Sequence, residues 1–201
     1  MLTRRALAAA SFAFATQPRR ARGAEALVAA LRAGGHTVYM RHAMTDRAQI
    51  DTGRLGDRSG QRNLSPAGRA QAEALGRAVG RLGIPVGTVL TSPVFRAADT
   101  AELAFGRQRV RIEPFLTADD YTPDAVLLAA NIARTRARLA EAPREGNDIL
   151  VGHIVPLGMV LGRSLAQAEF LEGALAVFRP GVGEASLLGI VTAEVLIATA
   201  G

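Results

Sequence analysis

The stretch Thr37-Val38-Tyr39-Met40-Arg41-His42-Ala43 decides how this chain is read. Its first four residues are a short β-branched and aromatic run, the pattern of a buried strand. Arg41 and His42 stand directly behind it. In open α/β sheets, ligands bind beyond the carboxyl ends of the strands, so this pair is placed for chemistry. A guanidinium beside an imidazole suits phosphoryl transfer, because the fork holds phosphate oxygens while a ring nitrogen attacks phosphorus. A single Arg-His pair is common in any sequence, so other strand ends must supply the remaining parts.

Two of them do. Val86 to Thr91 is a second apolar strand, followed by Ser92-Pro93-Val94-Phe95-Arg96-Ala97. Ser92 fits an N-cap and Pro93 the first turn of a helix, which puts Arg96 near the helix start. Free N–H groups and the dipole at a helix N-terminus favour anions, so Arg96 adds to a phosphate site. A third strand, Asp148 to Gly152, ends at His153. Three strands thus end in Arg-His, Ser-Pro-x-x-Arg and Gly-His.

With these motifs in order, together with Asn63-Leu64-Ser65-Pro66-Ala67-Gly68 and Thr100-Ala101, the chain resembles the histidine phosphatase superfamily, the phosphoglycerate mutase-like proteins. The resemblance runs from about Leu27 to the C-terminal region. It implies an α/β fold, a three-layer α/β/α sandwich around a mostly parallel sheet. It also implies that His42 is the phosphorylated nucleophile and that Arg41, Arg96 and His153 bind the transferred phosphoryl group. His42 and Arg96 are 54 residues apart and Arg96 and His153 are 57 apart, which leaves no room for the large lid insertion of the mutase branch. The expectation is a compact phosphatase that hydrolyses phosphomonoesters through a phosphohistidine. A protein-phosphohistidine phosphatase, a cell-envelope sugar phosphatase and a phosphate-binding pseudoenzyme are the alternatives.

Relatives commonly carry a Glu as proton donor shortly after the strand equivalent to Arg109–Glu113, and here the chain departs from that pattern. The acids available are Glu113, Asp119 and Asp120, of which Asp119 is the first choice. Ala43 stands where Gly is common, and Ile154 where a small or polar residue is frequent. Residues 43 to 63 lack periodicity and read as a long loop over the site, which brings Thr45 within reach of a substrate and Arg62 too if the loop folds back.

Composition narrows the remaining choices. At 201 residues the chain can bury one substantial core. It has no cysteine, which removes disulfides, thiol catalysis and thiolate zinc sites. Three histidines, with no acids clustered beside them at ligand spacing, argue against a metal, and no cofactor is expected. Every basic residue is arginine. Residues 1–23 look like an export signal, twin-arginine or secretory, with Arg4-Arg5 ahead of a small apolar stretch. The apolar stretch is too short to span a bilayer. An uncleaved anchor or a basic arm is the rival reading. Five arginines and no acid fall in that segment, so residues 24–201, read as one domain, carry nineteen arginines against eighteen acids. A net charge near +1 does not point to nucleic acid. The expected partner is a small phosphorylated substrate, met in the periplasm or another exported location. No stable membrane insertion is expected after signal removal.

Further elements can be read from periodicity. Helices are predicted over Glu25–Ala33 (stopped by Gly34-Gly35), from Ser65-Pro66, over Asp124–Ala142 and over Val155–Ser164. Strands are predicted at Arg109–Glu113, Ala174–Phe178 and Ala185–Val191, the last two as a hairpin. Arg134, Arg136 and Arg138 read as a solvated helix face.

Overall fold

Five strands of the sheet point one way and a single strand runs against them. The computed structural model describes residues 17–201. At the centre, β1 (Thr37–Arg41) pairs in parallel with β4 (Asn147–Gly152). Both are buried at every position, as strands covered by helices on both faces must be. β2 (Val86–Thr91) lies parallel on the far side of β4, and β3 (Val110–Ile112) parallel to β2 at the edge. On the other flank β5 (Leu175–Arg179) is antiparallel to β1, and β6 (Ser186–Val191) returns antiparallel to β5. The order is β3-β2-β4-β1-β5-β6.

Alternation along the strands sorts the core into two layers. Val38, Met40, Val89, Ile149, Val151 and Val177 face one side. There they meet Leu31 of α1 (Gln17–Ala33), Leu75 of α2 (Pro66–Arg81), Ala101 of α3 (Phe95–Phe105) and Leu196 of α6 (Ala193–Thr199). Tyr39, Leu90, Leu150 and Phe178 face the other side, against Leu139 of α4 (Ala125–Ala140) and Leu157 of α5 (Ile154–Val160). Each fully buried large apolar side chain contributes about 1.5–3 kcal/mol. Helices on both faces of a mostly parallel sheet are the three layers the sequence led us to expect.

Local signals account for most boundaries. Ser65 caps α2, its Oγ accepting the Gly68 N–H at 3.0 Å, and Asp124 caps α4 through the N–H groups of Val126 and Leu127. Gly34 and Gly35 end α1 with φ of +77° and +81°. Some bounds differ from expectation. α1 begins at Gln17, earlier than Glu25. Of the leader expected over residues 1–23, residues 1–16 lie outside the described residues. α5 stops at Val160 because Gly162 turns the chain with φ +69°. Arg134 and Arg136 of α4 are exposed, as expected of a solvated face, while Arg138 is largely covered. Arg134 stacks over Phe115, Arg136 donates to the Val160 and Met159 carbonyls at the end of α5, and Arg138 pairs with Asp148.

Gly68 fixes how α2 meets the strand end. A Cβ there would lie 1.8 Å from the Met44 carbonyl oxygen, so the helix touches backbone just past His42. Gly68→Ala is expected to lower stability by about 2–4 kcal/mol, seen as a lower denaturation midpoint. An unchanged midpoint would mean that the loop withdraws freely.

Candidate active site

Register brings the two histidines side by side. Arg41 and Gly152 are partners across β1 and β4, so the next residues in the chain, His42 and His153, leave adjacent strand ends together. Their ring centroids are 5.4 Å apart, and the His42 N–H donates to the Gly152 carbonyl at 3.1 Å. Ser92, at the end of β2, joins from the next strand: its N–H donates to the Val151 carbonyl, and its Oγ lies 2.9 Å from His153 Nε2. Ser92 is not the cap of α3. That helix starts at Phe95, whose N–H is taken by the side-chain oxygen of the buried Gln61. Arg96 is still in the first turn, as expected.

A hydrogen bond settles the His42 ring state. His42 Nδ1 lies 2.9 Å from the Ala43 carbonyl, which only accepts, so Nδ1 carries the proton and Nε2 keeps its lone pair. Burial, with Arg96 adding to it, holds the His42 imidazole well below its usual pKa, and it is neutral near pH 7. His153 is held low by burial first, then by Arg96, His42 and Arg41. The Ser92 Oγ accepts the Val94 N–H at 3.2 Å and shares a 2.9 Å hydrogen bond with His153 Nε2, whose direction follows the His153 tautomer. The Tyr39 hydroxyl accepts the His153 N–H at 3.0 Å and donates to the His153 carbonyl at 3.1 Å, locking that backbone. Burial pushes the Tyr39 phenol up, so it remains a neutral donor.

The arginines are tied at one end. Arg41 Nη1 donates to the Phe170 carbonyl at 2.6 Å. Arg96 Nη1 donates to both oxygens of Asp51, each at 3.0 Å. Asp51 also accepts the Arg62 N–H at 2.8 Å and the Tyr121 hydroxyl. Burial alone would raise the Asp51 carboxyl, but Tyr121, Arg62 and Arg96 outweigh it and keep it ionised. The long loop does fold over the site. Arg58 forks onto Asp99 of α3 at 2.7 and 3.0 Å, Gln61 holds Phe95, and Asp51 holds Arg96. Thr100 of α3 accepts the Ala43 N–H at 2.9 Å and steadies the residue after His42.

Among the described residues, six buried side-chain polar atoms lack a partner. Four of them, Arg41 Nε, Arg62 Nε, Arg96 Nε and His153 Nδ1, belong to this one cluster. Buried polar atoms are almost always satisfied, so four together single out this cluster, three of them guanidinium N–H donors. Among the described residues no group of acids and histidines is arranged to hold a metal ion.

The other sequence expectations scatter. Thr45 is buried nearby, but its hydroxyl donates to Glu172 at 2.9 Å. Glu113 pairs with Arg111 at 3.0 Å, at the edge strand. Asp119 is half-buried, and its charge acts on Tyr39. Asp120 reaches Arg96 Nη2 at 3.7 Å. Asp120 is 45% exposed at its side chain; partial desolvation raises its carboxyl, Arg96 opposes it, and Asp119 and Asp51 raise it further, for a net upward shift. Asp51, Tyr121, Gln61 and Tyr39 were missed. Asp51 and Gln61 lie in an aperiodic loop, and Tyr39 reads in sequence as core.

A mostly parallel sheet with two histidines and two arginines at its carboxyl edge defines an α/β protein with a cationic, imidazole-bearing site. Residues 38–120 match the model of the histidine phosphatase superfamily (branch 1). Its members are typically phosphomonoester hydrolases. The fold is similar to that of the protein histidine phosphatase SixA complexed with tungstate, with a TM-score of 0.56 and 17% identity over 79% of this chain and 97% of that one. It is also similar to the alpha-ribazole phosphatase from Shigella flexneri (TM-score 0.56, 17% identity, 79% of this chain and 96% of that one). A phosphoserine phosphatase mutant from Entamoeba histolytica, in complex with phosphoserine, gives a TM-score of 0.56 at 15% identity over 80% of this chain and 98% of that one. No curated protein matches the chain in sequence.

Proposed function

We propose that the protein hydrolyses phosphomonoesters through a phosphohistidine on His42, without a metal. The observation that carries this is the group of buried, unpartnered guanidinium donors, Arg41 Nε, Arg62 Nε and Arg96 Nε, gathered with His153 Nδ1 around a neutral imidazole with a free Nε2 lone pair. A phosphate dianion repels nucleophiles until its oxygens are neutralised, and these donors supply that neutralisation. His42 Nε2 forms the N–P bond as the ester P–O bond breaks. Water then attacks the phosphohistidine, releasing phosphate and restoring His42.

The departing oxygen needs a proton. We assign that role to Asp120 in preference to Asp119, because Asp120 stands beside Arg96 with its carboxyl raised. As a carboxylate it then takes the proton of the attacking water. Asp120→Asn is expected to cost about 100-fold in turnover of an alkyl phosphate, and only a few-fold for p-nitrophenyl phosphate, whose leaving group needs no proton. Equal losses on both esters would remove Asp120 from the acid role. Hydrolysis of p-nitrophenyl phosphate by the metal-free protein tests the activity itself, and no turnover across acidic to neutral pH by folded protein would sink it.

The same reading places the protein in the periplasm or otherwise outside the cytoplasm, on the paired arginines and apolar stretch near the N-terminus. Leu27, Val28 and Leu31, the core residues of α1 among the described side chains, lie beyond Gly23, so a cut there would keep them. Among the described residues no helix is long and apolar enough to cross a membrane. N-terminal sequencing of protein recovered from a periplasmic fraction tests this location, and an intact N-terminus on cytosolic protein would overturn it.

A further inference from the structure

The two phosphate-side arginines are anchored in the same way by different means. Each is held at Nη1, Arg41 by a backbone carbonyl and Arg96 by the Asp51 carboxylate, and in each the buried Nε has no partner. An arginine paired for stability alone usually engages a carboxylate with two nitrogens, fork to fork. Arg96 instead gives both Asp51 oxygens to a single nitrogen. Its Nη2 faces Asp120 at 3.7 Å, beyond hydrogen-bond length. The Nε–H of the guanidinium is left without a protein acceptor.

Asp51 is itself held from two directions. The Arg62 N–H donates to it from within the loop, and the Tyr121 hydroxyl from the segment after Asp120. Its side chain is 13% exposed and that of Arg96 is 4% exposed, so neither swings freely in water. We propose that Asp51 is a positioning residue for the phosphoryl site: it holds Arg96 by Nη1 so that Nε–H is presented to a phosphoryl oxygen. This rests on the phosphoryl-transfer reading of the site. The rival is that Asp51 competes with phosphate for Arg96, and then its removal would tighten anion binding.

The test uses the full chain as wild type, Asp51→Ala, Asp51→Asn and Tyr121→Phe. Inorganic phosphate is titrated by calorimetry, p-nitrophenyl phosphate kinetics give KM and kcat separately, and nuclear magnetic resonance on 15N-arginine protein tracks the Arg96 Nε–H. Asp51→Ala is expected to weaken phosphate binding and raise KM by about 10- to 100-fold, with a smaller change in kcat, and to broaden or erase the Arg96 Nε–H signal. Asp51→Asn keeps an acceptor for Nη1 and is expected to recover affinity to within about fivefold of wild type. Tyr121→Phe removes one hydroxyl and is expected to cost about threefold, so the idea stays testable if the alanine variant does not fold. Phosphate bound as tightly or more tightly by Asp51→Ala, with the Nε–H signal unchanged, would overturn the positioning role and leave the phosphatase reading intact. An Nε–H that is ordered in wild type and lost in Asp51→Ala, in a protein that neither binds phosphate nor turns over ester, would uphold the positioning and overturn the phosphatase reading.

Discussion

Replacing His42 by alanine is expected to lower phosphomonoester turnover by about 10,000-fold or more, because it removes the atom that bonds to phosphorus. The loss falls on kcat. Arg41, Arg96 and His153 stay in place, so inorganic phosphate should still bind the variant. The chemistry also leaves a signature: a phosphohistidine is a phosphoramidate, stable to base and labile to acid. Wild-type protein quenched during turnover should carry such phosphate on His42, and the variant none. The geometry gives this prediction its strength, since the Ala43 carbonyl fixes the proton on Nδ1 and burial keeps the ring neutral. Retained turnover in the variant, or base-labile phosphate on the wild type, would remove His42 as nucleophile.

The parts of this site that were legible in sequence are those attached to strand ends. Thr37–Met40, Val86–Thr91 and Asp148–Gly152 announce themselves by uninterrupted apolar, β-branched character, which buried parallel strands require. The residues just beyond each strand then fall on the carboxyl edge, so Arg41, His42, Arg96 and His153 could be named from sequence. The pairing of β1 with β4, with Arg41 opposite Gly152, was not legible, because parallel register arises from long-range contacts and leaves no local mark. The helix start at Phe95 was also misplaced. Ser92 and Pro93 have the chemistry of a cap and first turn, but tertiary contacts with His153 and Gln61 decide the boundary. Asp51 was invisible for a different reason. One aspartate among several in an aperiodic loop gains meaning only when the loop folds onto Arg96.

Arg96→Ala is expected to lower kcat/KM by about 100- to 1,000-fold, the usual cost of removing a donor aimed at charge in the transition state. Arg96→Lys should recover little of this. One ammonium cannot hold Asp51 and still present a second, fixed N–H to phosphate, whereas the guanidinium has separate nitrogens for each. The change also carries a pH signature. After burial, Arg96 is the largest influence depressing both His42 and His153, with Arg41 and Arg62 adding to it at His42. Removing its positive charge makes protonation of both rings easier, so their pKa values rise. The nucleophile must be neutral, and the acid limb of kcat/KM should therefore move to higher pH in Arg96→Ala. In Arg96→Lys the positive charge remains, and the limb should stay near its wild-type position even as the rate falls. The lysine variant thus separates two things Arg96 does, holding oxygens by geometry and keeping the imidazoles unprotonated by charge. A limb unmoved in the alanine variant would mean that burial alone keeps the histidines neutral, and the electrostatic half of the account would then be wrong.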